Sequence, residues 1–416
     1  MHRALAPGLL LLGSLLFSVG IAECGLRLYH YGSLRGLSGE HSLRMPHETR
    51  GWSLEPNASS FQRTRDYAVL VRTNALGMRD REHAALPAPG IFRIVVLGDS
   101  FMEAYQVALE QSLAYRLEAR LASRGVEVLN LGVGGYGTTQ ELLALTEEGL
   151  RYRPDLVVLA FYLANDVQNN SFAIEAALLG EDAQTTFSRP YARARSLDAE
   201  LEWTPPDRAG MAPYVERWQR RKGFLDALRR ALQPAMVANL LEQATGSLLR
   251  QIAIGDRYDP AVAFGWPFLR EVADPSVARL WEDAWLVTRR LLLEMDRVAR
   301  EAGARLALLL VPADFQVDPR ALAAVEAAYP ELVFDPLHIN RELEAFCAQA
   351  GIPLLDPTPA LAREQAAGRP MYYAIEDHHW NSAGHALATE LLAKFLDDRG
   401  LLPQPGRASP PASTSR

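Results

Sequence analysis

Four short polar stretches, spaced widely along the chain, hold residue types that work together in acyl transfer. They are Gly98-Asp99-Ser100, the cluster Gly132-Val133-Gly134-Gly135-Tyr136-Gly137, Asn165-Asp166, and Asp377-His378-His379-Trp380-Asn381. Acyl transfer needs a nucleophile, a base, a group that orients the base, and donors for an oxyanion. Ser100 attacks only if its proton is taken, and a histidine takes protons near neutral pH. A carboxylate then fixes one imidazole tautomer and stabilises its cation, a role open to Asp377 beside His379. The oxyanion is met by the backbone N–H of Ser100, a glycine N–H from the cluster and the Asn165 amide. Gly135 is the preferred glycine, because it allows close backbone approach at the loop tip. Glu376 is a rival orienter and His378 a rival base.

Each stretch also has a plainer reading. A lone Gly-Asp-Ser is as good a helix cap as a nucleophile. Asp99 and Asp166 suit hydrogen bonding to loop backbone. Asn381 or Ser382 suits the cap of the last helix, and His385 suits packing within it. Tyr372-Tyr373 reads as core or pocket wall. Asp377, His378, His379 and His385 are a conceivable metal set, but a metal leaves Ser100, Gly135 and Asn165 without a part. No metal and no cofactor is expected.

The elements that must position these residues alternate between strand and helix. Ile91–Tyr105 carries a continuous apolar run, Ile94–Leu97, of the kind buried on both faces of a parallel sheet. Gly98 permits a sharp exit, which puts Ser100 at the carboxyl end of the strand, where open α/β sheets place their chemistry. Helix N-terminal N–H groups there favour negative charge. The spacing predicts a helix over 112–123, a strand over 126–131, a helix over 138–150 and a strand over 156–162. After an interruption, a long helix (277–302), a strand (305–311), a helix (343–350), a short strand (353–355) and a closing helix (386–396) follow. Such alternation implies a parallel sheet with helices on both faces.

The whole chain sets wider bounds. Its 416 residues are 49% hydrophobic and 22% charged, ordinary for a globular protein. A net charge of -7 without a long basic run excludes a nucleic-acid partner. Two cysteines, Cys24 and Cys347, do not make a disulfide framework. Ala4–Ala22 carries no charge and is just long enough to span a bilayer, so residues 1–30 are expected to be a membrane anchor. A cleaved signal peptide is the rival, with Gly20 and Ala22 before the cut. Either places the remainder outside the cytoplasmic membrane, anchored by a single pass or secreted. Residues 31–90 read as an entry region with a short β-hairpin, built on Tyr67–Arg72 and the turn Asn74-Ala75-Leu76-Gly77. Residues 91–402 read as the catalytic domain. Within it, 171–275 is a helical insertion over the edge of the site, its arginines at 217–230 a solvated helix face. The tail 403–416 has nothing to bury and is expected to be disordered.

Taken together, the four stretches resemble the motifs of the SGNH (GDSL-type) hydrolase superfamily, in the family's order. Gly98-Asp99-Ser100-Phe101 is similar to its first motif, Asn130-x-Gly132-x-x-Gly135-Tyr136 to its second and Asn165-Asp166 to its third. Asp377-x-His379-Trp380-Asn381-x-x-Gly384-His385 is similar to the variant of the last motif in bacterial exported members. The likeness covers about 91–170 and 277–400. It implies a three-layer α/β/α, flavodoxin-like fold, and ester hydrolysis or acyl transfer. By it Ser100 is the nucleophile, His379 the base and Asp377 its partner, with Ser100, Gly135 and Asn165 as oxyanion donors. Leu163 departs from the glycine that many members carry two residues before this asparagine, which puts the local loop shape in question. The expected function is a serine esterase acting on O-acyl esters through an acyl-enzyme. The alternatives are an O-acyltransferase modifying an envelope polysaccharide and a non-catalytic glycan-binding module. The expected partners are an acyl-ester substrate, a cell-envelope polysaccharide and the membrane.

Overall fold

Five short apolar runs pair side by side into one parallel sheet, and everything else is arranged around its edges and faces. They are β5 (Phe92–Leu97), β6 (Val126–Asn130), β7 (Leu156–Tyr162), β10 (Arg305–Val311) and β11 (Leu354–Leu355), in the spatial order β11-β10-β7-β5-β6. The computed structural model describes residues 43–179, 189–209, 211–212, 215–216, 259–374 and 377–404, together with Ser14, Phe17, Ser18 and Ile21. The chain divides into two units. One consists of residues 1–42 and 217–258, of which only those four residues are described, all of them helical. The other, residues 43–216 and 259–416, holds the sheet.

Alternation along each strand explains the layers. Val95, Leu97, Val157, Leu159, Phe161, Leu306, Leu308 and Leu310 face one core, shared with helices Thr138–Glu147, Pro275–Glu301 and His338–Ala350. Ile94, Val96, Leu156, Val158, Ala160, Ala307, Leu309 and Val311 face the other, shared with helices Leu113–Leu121, Thr358–Ala366 and Ser382–Asp398. Successive strand residues point to opposite faces, so a strand apolar throughout needs cover on both sides. The result is three layers, as the sequence predicts. In chain order the strand sequence is 2-1-3-4-5, and its direction reverses between β5 and β7, the switch point at which such sheets bind ligands.

The long helix Pro275–Glu301 shows how local sequence sets an element. Asp274 caps it by accepting the Ser276 N–H, Pro275 fills the first turn, and Trp281, Ala284, Trp285, Thr288, Leu291, Leu292 and Met295 form its buried stripe. The closing helix starts earlier than its apolar pattern suggests, at Ser382, because Asn381 caps it through the N–H groups of Ala383 and Gly384. Helices Asp314–Val317, Pro319–Ala328 and Thr358–Ala366 are short or weakly patterned, and the sequence reading does not anticipate them.

Two regions differ from expectation. Residues 43–90 hold two hairpins, β1 (Arg44–His47) with β2 (Gly51–Leu54) and β3 (Ser59–Arg63) with β4 (Ala68–Arg72), where one is expected. The turn closing on Gly77 forms as read, with the Gly77 N–H on the Asn74 carbonyl. The described parts of the 171–275 insertion are not purely helical: they hold helices Phe172–Leu179 and Pro260–Phe268, and a hairpin of β8 (Tyr191–Arg193) and β9 (Glu202–Thr204). The arginine-rich stretch 217–230, most of the 1–30 segment and tail residues 405–416 lie outside the described residues. Among the described residues no helix is long and apolar enough to cross a membrane. Cys347 is a buried free thiol, and Cys24 lies outside the described residues.

Candidate active site

Three loops leave the carboxyl ends of β5, β6 and β7 at the switch point, and each delivers part of a site. From β5 the chain turns at Gly98, where a Cβ would lie 2.6 Å from Met102 Cγ and 3.2 Å from the Ala160 carbonyl oxygen. No larger residue fits there. Asp99 caps the short helix Ser100–Glu103 by accepting the Phe101 N–H at 2.9 Å, which seats Ser100 at the helix start. Ala104 closes it with a left-handed backbone, φ 53°, and the buried Arg79 guanidinium donates to the carbonyls of Glu103, Ala104 and Val107. That clamp stabilises a backbone shape that costs a non-glycine residue about 1 kcal/mol.

The last motif reaches Ser100 from the far end of the chain. His379 Nε2 lies 2.7 Å from Ser100 Oγ, and His379 Nδ1 lies 2.7 Å from Asp377 Oδ1. The same carboxylate oxygen accepts the His379 backbone N–H at 2.9 Å. Two donors on one oxygen require an acceptor there, so Nδ1 carries the proton and Nε2 is free to accept from Ser100. Burial pushes the Asp377 carboxyl up, but hydrogen bonds and charge from His379, with the Tyr67 hydroxyl, outweigh it and hold the group below its ordinary value. The His379 ring packs on Phe101 at 4.6 Å between centroids, which fixes its plane.

The rivals are separated by geometry. His378 is exposed and turns away to Asp314, with Nδ1 2.7 Å from Oδ2, and Asp314 raises its basicity. Glu376 lies outside the described residues. His385 is buried in the last helix, where burial and then the charges of Arg79 and Arg116 push it down to about 3. Among the described residues no three His, Cys, Asp or Glu side chains cluster to hold a metal ion.

The other two loops carry Asn165 and the glycine cluster to the same sheet edge as Ser100. Asn165 Nδ2 donates to Asp99 Oδ2 at 2.8 Å, which holds the amide nitrogen on the residue next to Ser100. Leu163, in the position of the family's glycine, is fully buried and its N–H donates to the Val311 carbonyl, so the loop forms with a large side chain there. Asp166, also buried, accepts the Tyr162 N–H at 2.5 Å. Asn130 ties two loops together, donating to the Met102 carbonyl at 2.7 Å and accepting the Gly132 N–H at 3.0 Å. Gly135 has φ 77°, the left-handed region that favours glycine. The Gly134 N–H is engaged by the buried Glu103 carboxylate at 2.6 Å.

Several contributors carry no sequence signal as site residues. Tyr67 donates to Asp377 Oδ2 at 2.9 Å, and Asp66 Oδ2 accepts the Asp377 N–H at 2.9 Å. Trp52 donates to the Gly134 carbonyl at 3.1 Å. Arg189, from the insertion, donates to the Gly135 carbonyl at 3.0 Å while pairing with Glu175 at 3.0 Å. The segment 43–80 and the insertion thus brace the loops of the candidate site.

An arrangement of hydroxyl, imidazole and carboxylate with amide donors beside it can activate a serine for attack on a carbonyl and hold the resulting oxyanion. The model described as "GDSL-like Lipase/Acylhydrolase family" matches residues 96–264, and that described as "SGNH hydrolase-like domain, acetyltransferase AlgX" matches residues 265–412. Similar solved structures include the lipase/acylhydrolase from Enterococcus faecalis, 16% identical, over 76% of this chain and 100% of that one, TM-score 0.36. A lipolytic G-D-S-L family member from Veillonella parvula DSM 2008 is 12% identical over 73% of this chain and 97% of that one, TM-score 0.34. The acetyl xylan esterase AlAXEase is 10% identical over 73% and 98%, TM-score 0.34. No curated protein matches the chain.

Proposed function

This chain belongs to the SGNH (GDSL-type) hydrolase superfamily, whose members act on acyl esters, and on that footing we propose that it is a serine esterase working through an acyl-enzyme at Ser100. The observation that carries the reading is the relay of two 2.7 Å contacts from Ser100 Oγ through His379 to Asp377. In the proposed cycle His379 Nε2 takes the Ser100 proton as Oγ attacks the ester carbonyl. Asp377 stabilises the imidazolium, which then protonates the leaving alcohol. Water, activated by the same imidazole, releases the acid. The oxyanion donors we assign are the N–H groups of Ser100 and Gly135 and the Asn165 amide. Gly135 is preferred to Gly134 because Glu103 engages the Gly134 N–H.

A second reading, an O-acyltransferase in which a polysaccharide hydroxyl replaces water, is favoured by the match of residues 265–412 to a model that carries an acetyltransferase's name. The uncharged stretch Ala4–Ala22 supports a membrane-anchored or exported protein, and hence an envelope polysaccharide as the substrate class. A non-catalytic glycan-binding module has no use for an activated serine. The test is labelling with a fluorophosphonate, located by mass spectrometry. The esterase reading expects one adduct on Ser100, none in Ser100→Ala, and loss of 4-nitrophenyl acetate turnover in that variant. Unchanged turnover in Ser100→Ala refutes it. Faster nitrophenol release with added polysaccharide, together with acylated glycan, selects transfer over hydrolysis.

A further inference from the structure

The carboxylate that orients His379 has two oxygens, and the second is held by a residue from outside the sheet. Asp377 Oδ1 takes both N–H groups of His379, while Oδ2 accepts the Tyr67 hydroxyl at 2.9 Å. Its neighbour Asp66 accepts the Asp377 backbone N–H at 2.9 Å. Two adjacent residues at the tip of the β3–β4 hairpin therefore hold both the side chain and the backbone of Asp377. The phenol is itself fixed. Its ring lies 5.4 Å from that of Tyr373 and 6.3 Å from that of Tyr105, which in turn lies 6.2 Å from the His379 ring. Tyr373 closes the circle, its N–H on the His379 carbonyl at 3.0 Å and its hydroxyl on the Gln106 carbonyl at 3.1 Å.

We propose that Tyr67 is a positioning residue of the reaction, whose hydroxyl shares the negative charge of Asp377 and so sets how strongly that carboxylate supports a cation on His379. This rests on the reading of Ser100, His379 and Asp377 as the catalytic relay. A donor on one carboxylate oxygen draws charge from the other and stops the group rotating. Without it, Asp377 turns more freely, and its full charge falls on His379, which favours the protonated, non-basic imidazole at rest. The other titratable groups facing the pair are Asp66, Asp99, His378 with Asp314, Tyr105, Tyr162, Tyr373 and His385. Replacing Tyr67 by phenylalanine removes no charge from this set, and of its members Tyr105 loses a hydrogen bond with the Tyr67 hydroxyl.

The experiment measures the rate constant for fluorophosphonate labelling of Ser100 across pH, in the full chain and in Tyr67→Phe. The maximal rate constant is expected to change by less than about tenfold, because the freer rotation of Asp377 and its fuller charge on His379 act in opposite senses, and the position of the acid limb is the readout. The acid limb of the profile is expected to move to higher pH. A hairpin that only fills space leaves that limb where it was, and an unmoved limb overturns the proposal. Incorporating 3-fluorotyrosine at position 67 keeps the shape and strengthens the donor, so the limb then moves to lower pH. That arm decides if Tyr67→Phe does not fold, and no shift there also overturns the proposal. Failure of the underlying reading looks different: Ser100 is then not labelled in the unmodified chain at any pH.

Discussion

Asp377→Asn separates the charge of the relay from its geometry. In many serine relays an amide at this position destroys the tautomer, because its NH2 turns toward the imidazole, at a cost of about ten-thousandfold in rate. Here the surroundings dictate the opposite orientation. The two N–H groups of His379 converge on Oδ1 at 2.9 and 2.7 Å, so the amide oxygen must sit there. The amide nitrogen then faces the Tyr67 hydroxyl, which now accepts instead of donating. The Nδ1–H tautomer survives, and what is lost is the negative charge beside the imidazolium of the transition state. At an effective dielectric of about 20 a pair of charges about 4 Å apart is worth about 4 kcal/mol, roughly a thousandfold in rate. Asp377→Ala removes the charge and leaves three donors without an acceptor, so it is expected to cost at least the ten-thousandfold of a lost tautomer. The assay is the rate constant for Ser100 labelling by a fluorophosphonate, with thermal midpoints to confirm folding. The asparagine variant should retain about tenfold more reactivity than the alanine variant. Equal rates for the two, or an asparagine variant within about threefold of the unmodified protein, would refute the reasoning.

Arg79→Ala is expected to destabilise the protein by about 3 kcal/mol or more, because it strips three buried carbonyls of a shared donor and leaves a cavity under the nucleophile loop. Urea unfolding checks this, and a loss below about 1 kcal/mol contradicts it. Stability should also fall as pH rises above about 4. Burial pushes the carboxyls of Asp99, Glu141 and Asp166 up; the charge of Asp166 raises Glu141 further and that of Asp99 raises Asp166, while a hydrogen bond with Glu141 lowers Asp166. A carboxyl raised in the folded state stabilises it below the unfolded value, and that stability is lost as pH climbs through the folded value. Asp377, held low, acts in the opposite sense and matters only at lower pH. Thermal midpoints should therefore drop as pH rises from about 4, and Glu141→Gln should flatten the drop. A midpoint that rises over this window, or an equally steep fall in the variant, counts against the assignment.

The strands were legible because each is buried on both faces and so must be apolar throughout. Leu156–Tyr162 and Arg305–Val311 have the same bounds in the sequence reading and in the structure. The meeting of Ser100, His379 and Asp377 was legible too, since the chemistry proposed for them restricts residue types: a serine at a strand end, and an aspartate two residues before a histidine on one loop. The glycine-rich loop followed the same logic, as only glycine adopts the φ of 77° at Gly135 without strain. Tyr67, Arg79, Glu103 and Arg189 were not legible. Tyr67 and Asp377 are 310 residues apart, and nothing local to either announces the bond between them. Tyrosines, arginines and glutamates are ordinary on surfaces and in cores alike, so type alone says nothing of what they brace. Residue types along the chain carry the sheet and the members of the candidate site, because burial and chemistry both constrain residue identity. Which segments hold those groups still is visible only in the folded chain. A hydrogen bond is satisfied by any suitable donor that folding brings within reach, so the pairing is fixed by packing and not by spacing along the chain.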